Sequence, residues 1–217
     1  YWDKNGHSDV FDGSAATQTS AVDQEIASSA HYEDYSRPLD YSYIDPPGLI
    51  PDKSETGGAH ENNCIADFME TSRSSEGNYY GWSWFSDMDN SIEDYLNYKI
   101  YPERNAANRA WGSFNWEFYK SEIDASRPVG LIVDTDGNGW TDHIITGIGY
   151  NEGTQKYIAY NTWDKSVHSY LFRQIGTGNT WGIYGGTSFD PGIPPEPSVC
   201  VSNVDTVDCE KQQGVCA

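Results

Sequence analysis

The sequence predicts an α+β fold in which helices, gathered in the first half, pack on an antiparallel sheet formed by the second. Two observations predict it. Up to about residue 126 the apolar residues recur at helical spacing, as Ile65, Phe68 and Met69 do. From Arg127 the pattern changes to short β-rich runs, PVGLIVD, DHIITGIGY, KYIAYNTWD and SVHSYLFRQI, each set off by turn residues. Helical segments followed by consecutive strands make an α+β domain.

In chain order, residues 17–35 read as a helix opened by Thr19 or Ser20 and followed by a breaker at Pro38. Residues 38–60, with four prolines and a glycine pair, read as a long loop. Helices are expected at 61–73, 87–98 and 113–126, the last with Ser113 as its N-cap. The segment GTGNTWGIYGGTSF closes the domain as a last pair of strands. The domain spans residues 1–189; residues 190–199 form a proline-rich spacer and residues 200–217 a cysteine-containing tail.

The 217 residues suffice for one substantial core. Only 37% are hydrophobic, but 16 Tyr and 8 Trp supply bulk that fills a core while keeping a polar end at its edge. With 13 basic against 33 acidic residues the net charge is −20. Such a surface repels phosphate backbones, which excludes nucleic acid as a partner and suits divalent cations. No apolar run is long enough to cross a bilayer and no basic amphipathic helix is present, so neither membrane insertion nor surface binding is expected.

Of the four cysteines, Cys64 stands alone, while Cys200, Cys209 and Cys216 crowd the polar tail. That pattern reads as a disulfide-stapled tail in an oxidising, extracellular compartment. A zinc site is the rival, but the tail spacing lacks a close cysteine pair and no histidine lies near. Because the tail count is odd, one cysteine reaches Cys64, reaches another chain, or stays free. The chain starts at Tyr1 without a signal peptide, which points to an upstream segment removed or omitted.

The sharpest local pattern runs from Asp134 to Asp142. Asp134, Asp136 and Asn138 place side-chain oxygens at alternate positions, Gly139 permits the sharp turn, the Trp140 carbonyl follows, and Asp142 supplies a further carboxylate. Calcium takes six to eight hard oxygens, and alternate residues on a curled loop deliver them. One departure stands out: where a calcium loop carries a final bidentate carboxylate, this chain has Ile145. Other groups or water must complete the shell.

His143 follows this loop directly, and Asn161 and Asp164 end the next predicted strand. A histidine on one strand with an amide or carboxylate on its hairpin partner is how a cysteine peptidase orients its general base. The remaining histidines, His7, His31, His60 and His168, show no metal spacing and read as surface or loop residues. The aromatic run at 79–85 could stack on sugars or pack internally.

The run SEIDASRPVGLIVDTDGNGWTDHIITGIGY, with YIAYNTWD after it, resembles the papain-superfamily cysteine peptidases related to those that trim bacteriocin leaders, in a secreted branch. YWDKNG at 1–6, YEDYSRPLD at 32–40 and HENNCIADFMETS at 60–72 carry the same resemblance, which covers residues 1–190. It implies a papain-like fold, with His143 as base and Asn161 as its orienter. It also implies that the reactive cysteine precedes residue 1, since Tyr1-Trp2-Asp3 resemble the end of the helix that bears it. Cys64 is the alternative nucleophile, placed at a predicted helix start and in the papain order Cys64, His143, Asn161. Gly58 stands where a glutamine would build an oxyanion hole, so a disulfide or a buried thiol is the competing role.

Three functions follow. The favoured one is a calcium-stiffened, non-catalytic, structural domain at the cell surface that self-associates with other copies. The second is a secreted peptidase acting on a peptide substrate, and the third a carbohydrate- or peptide-binding module.

Overall fold

The computed structural model describes residues 20–35, 40–44, 47–48, 52–79, 81–101, 104–164 and 166–192. The N-terminal YWDKNG run, His7, most of the proline spacer and the three tail cysteines lie outside the described residues. The fold is α+β. Helices α1 (Ser20–Ile26) and α2 (Ser29–Asp34) lead to a two-stranded ladder of β1 (Asp40–Ile44) and β2 (Pro47–Gly48). Then come α3 (Ile65–Phe68), α4 (Met88–Tyr98), β3 (Asn105–Ala110), α5 (Trp116–Asp124), β4 (Val129–Asp134), β5 (His143–Asn151), β6 (Lys156–Tyr160), β7 (Val167–Leu171) and β8 (Gly182–Asp190). The last six strands form one antiparallel sheet in the order β3-β8-β4-β5-β6-β7.

Alternation builds the main core. Val129, Leu131 and Val133 of β4 point to one face, where they meet Ile145, Tyr157, Ala159 and Ile183 from neighbouring strands. Phe114 and Tyr119, at and within α5, cover that face together with Phe172. On the other side of β4, Gly130 faces the Met88 side chain of α4. The sheet therefore carries a helix on each face. A smaller core of Tyr95, Leu96 and Tyr101 joins α4 to Val22 of α1 and to Ile65 and Phe68 of α3.

The helices differ from expectation where short polar side chains intervene. The single helix expected at 17–35 is two, because the Ser28 hydroxyl accepts the His31 N–H and restarts the chain as an N-cap. The helix expected at 61–73 shrinks to Ile65–Phe68, and Glu70 has a positive φ of 52° just beyond it. Asn115, not Ser113, caps α5, its side chain accepting the Phe118 N–H at 3.0 Å. The long loop at 38–60 contains the β1–β2 ladder and a 3-10 turn at Lys53–Thr56. The last pair of strands is the single strand β8, wedged between β3 and β4.

Tyr119 links α5 to the sheet by chemistry as well as bulk. It is fully buried, and its hydroxyl donates to the Gly149 carbonyl at 2.7 Å. A Cβ at Gly147 would sit 2.8 Å from that hydroxyl oxygen and 3.1 Å from Leu131 Cδ1. Gly147→Ala overpacks this contact, so the account expects a loss of about 1–3 kcal/mol. Urea denaturation checks this, as a lower midpoint with an unchanged slope.

Candidate metal centre

β4 delivers Asp134 into the interior at its last residue, and the chain then turns back on itself before β5. The Asp134 carboxylate, wholly buried, organises that turn. One oxygen accepts N–H groups from Gly137 at 2.7 Å and Asn138 at 3.2 Å; the other accepts the Gly139 N–H at 2.7 Å. Burial alone opposes ionisation, but these N–H donors outweigh it and hold the carboxyl below its ordinary range.

The next acids fasten their own neighbours. Asp136 accepts the Asn138 N–H and side-chain amide, both at 3.0 Å, and Asn138 Oδ1 accepts the Trp140 N–H at 2.8 Å. Asp142 closes the turn by accepting the Thr135 N–H at 2.9 Å and its hydroxyl at 2.7 Å. Gly137 and Gly139 have φ of 76° and 95°, which an L side chain rarely adopts. A Cβ on Gly137 would also lie 2.9 Å from the Thr180 backbone nitrogen.

The outcome is that carboxylate oxygens of Asp134, Asp136 and Asp142 come within 4.8 Å of one another. Three like charges this close repel unless a cation lies among them. Hard oxygens, alternate spacing and a tight glycine turn fit calcium. Trp140 is 78% exposed beside the turn, and Ile145, buried in β5, offers no side-chain oxygen, so a calcium ion here would need further oxygens from elsewhere.

His143 and Asn161 lie side by side, but their geometry differs from the sequence-based picture. His143 Nε2 is 2.8 Å from the Asn161 backbone carbonyl oxygen and 2.8 Å from Thr162 Oγ1. The Asn161 amide is used elsewhere. Its oxygen accepts the Trp163 N–H at 3.1 Å and its nitrogen donates to the Tyr170 hydroxyl at 3.3 Å. The His143 ring stacks on Trp163, with centroids 5.2 Å apart, and Trp163 meets Trp181 in turn. Sequence reasoning missed this aromatic row, whose members come from separate strands and turns.

Cys64 occupies a different part of the molecule. It is fully buried as the N-cap of α3, is a free thiol, and donates from Sγ to Asp67 Oδ2 at 3.2 Å. Burial pushes its thiol up. No hydrogen bond joins it to His143. Around it the surface-or-loop reading is overturned for His31, which is buried in α2, while His60 lies in a loop, partly buried. His31 is 1% exposed with Nδ1 2.8 Å from Asp67 Oδ1. His60 reaches Asp67 Oδ2 with Nε2 at 3.1 Å and Asp34 Oδ2 with Nδ1 at 2.8 Å. His31 meets Asp67 across 36 residues of chain and His60 meets Asp34 across 26, so no local spacing betrays those two pairs, whereas His60 and Asp67 are seven residues apart. His168, expected on the surface or in a loop, lies on strand β7 and is partly exposed, its Nε2 3.0 Å from Asp164 Oδ1. In the aromatic run, Trp82 and Trp84 are about half exposed and contact each other edge to face.

Comparison of the chain with protein-family models, with curated proteins and with solved structures finds no match.

The Lys53 ammonium, hydrogen-bonded to Asp34, lowers that carboxyl to about 2 from 3.8, against the effect of burial and with help from His60. A carboxyl lowered by folding stabilises the fold above its ordinary value, and that contribution is lost as pH falls through the folded one. Between pH about 4 and about 2 the protein should therefore lose stability that Asp34→Asn does not. Urea midpoints of both proteins across that window check it.

Proposed function

We propose that the chain is an extracellular calcium-binding domain of cysteine-peptidase ancestry, non-catalytic and structural, which associates with further copies of itself. The observation that carries the reading is the convergence of Asp134, Asp136 and Asp142 on a glycine-shaped turn between β4 and β5. Asn138 and the Trp140 carbonyl complete the set of protein oxygens assigned to the ion. Bound calcium removes the mutual repulsion of the carboxylates and ties the hairpin to the 176–180 turn, whose Gly178 N–H already donates to the Gly137 carbonyl.

Peptidase ancestry, with a papain-like fold, rests on the resemblance of residues 1–190 and on the helical half preceding the antiparallel sheet. Hydrolysis needs a thiolate that can pass its proton to His143. Cys64 is instead sealed against Asp67, with a thiol that burial keeps protonated. The Asn161 amide, which would orient a catalytic imidazole, is engaged with Trp163 and Tyr170. These partners favour a structural role over turnover.

Self-association is supported by the β7 edge. β7 ends the six-strand order, and its Val167 and Leu171, with Tyr160 on β6, are each about half exposed. An exposed apolar edge strand invites pairing with another chain. The acidic surface and the odd number of tail cysteines suit an oxidising, cell-surface setting.

Calcium should raise the thermal midpoint relative to chelator, by an amount equivalent to about 2.7 kcal/mol at a hundredfold excess over Kd. Asp134→Ala should abolish the rise, and a midpoint indifferent to calcium in the parent protein would refute the reading. Light scattering in calcium should show particles larger than one chain. A strict monomer with and without chelator would remove self-association while leaving calcium binding standing.

A further inference from the structure

The helical side of the molecule holds a second convergence of ligating groups, one the calcium reading does not use. His31 of α2, Cys64 at the start of α3 and Asp67 within α3 each offer one ligand atom, and the three atoms lie within 4.8 Å of one another. None of the three residues is more than 1% exposed. We propose that His31, Cys64 and Asp67 form a structural site for a divalent transition metal, with zinc the fitting ion.

The donor set selects the metal class. A thiolate, an imidazole and a carboxylate suit zinc, whereas calcium rejects sulfur and nitrogen. The donors lie slightly closer together than they would around an ion. Zinc bonds of about 2.0–2.3 Å place tetrahedral ligand atoms roughly 3.3–3.6 Å apart. His31 Nδ1 lies 2.8 Å from Asp67 Oδ1, and Cys64 Sγ lies 3.2 Å from Asp67 Oδ2. Small outward movements of side chains already aimed at each other would admit the ion. On binding, Cys64 releases its thiol proton to solvent and His31 presents an unprotonated ring nitrogen.

The surroundings are those of a supported ligand. Asp67 Oδ2 also meets the N–H groups of Asn63 at 3.0 Å and Cys64 at 3.3 Å, and His60 Nε2 at 3.1 Å. His60 is held in turn by Asp34, which Lys53 grips. Such outer partners orient a ligating carboxylate and raise metal affinity. Because the cluster is sealed from solvent, its role is to join elements. α2 has six residues and α3 four, each too short to persist alone. A metal would bind them into one unit beside the smaller core.

The test uses the full chain with Cys200→Ser, Cys209→Ser and Cys216→Ser, refolded with Co2+ as the probe in saturating Ca2+. Expected are one bound Co2+ and an intense near-ultraviolet thiolate band, both lost when Zn2+ is added. Cys64→Ser should remove the near-ultraviolet band, and His60→Gln should keep it while weakening binding about 10-fold. A folded parent without the band, or a band that survives Cys64→Ser, overturns the proposal. Should Cys64→Ser not fold, the parent decides alone: its thermal midpoint must rise with Zn2+ at saturating Ca2+, and no rise overturns the site. Holding calcium saturated keeps this result separate from the fate of the acidic loop.

Discussion

A single buried carboxylate sets the geometry on which the candidate metal centre depends. Asp134 enters the interior at the end of β4 and gathers the N–H groups of Gly137, Asn138 and Gly139 around its two oxygens. Without that acceptor, the Gly137 and Gly139 N–H groups would lack partners at the point where the chain must reverse. With it, the turn brings Asp136 and Asp142 back towards Asp134 and starts β5 in register, with His143 opposite Val133. The position of His143 beside the Asn161–Trp163 turn follows from that register. So does the placement of Ile145 in the main core.

The second half of the molecule was legible because its pattern is local. Val129, Leu131 and Val133 alternate, and Asp and Gly cluster where β4 must turn, so strands and loop could be drawn from spacing alone. The helical half was harder. Ser28 splits one expected helix because a hydroxyl can cap as well as continue, a choice that tertiary packing decides. β3, with the sequence NAANRA, has no β-branched or aromatic residue and was not anticipated. It is held by partners distant in sequence: Asn108 bonds the Phe85 carbonyl, Asp89 and Thr187, and the Ala106 N–H donates to Glu93.

The same distinction separates the two clusters of ligating side chains. The acidic loop is contiguous, so its chemistry could be read residue by residue. His31, His60 and Asp67 meet only after α2, the 52–60 turn and α3 have packed together. A histidine without nearby ligands in sequence then looks like a surface residue, yet His31 is among the most buried side chains of the fold. His143 and Asn161 illustrate the converse. Spacing put them side by side, but which atom of Asn161 faces the ring depends on Trp163 and Tyr170, which compete for its amide.

The central claim is that the turn from Asp134 to Asp142 encloses a hard cation, and Trp140 within it offers a direct reporter. Terbium occupies calcium sites and emits when a nearby indole transfers energy to it. The account predicts sensitised emission that saturates at one Tb3+ per chain, falls when Ca2+ is added, drops in Trp140→Phe and vanishes in Asp134→Ala. Emission absent from the folded protein, or unchanged in Asp134→Ala, would contradict it.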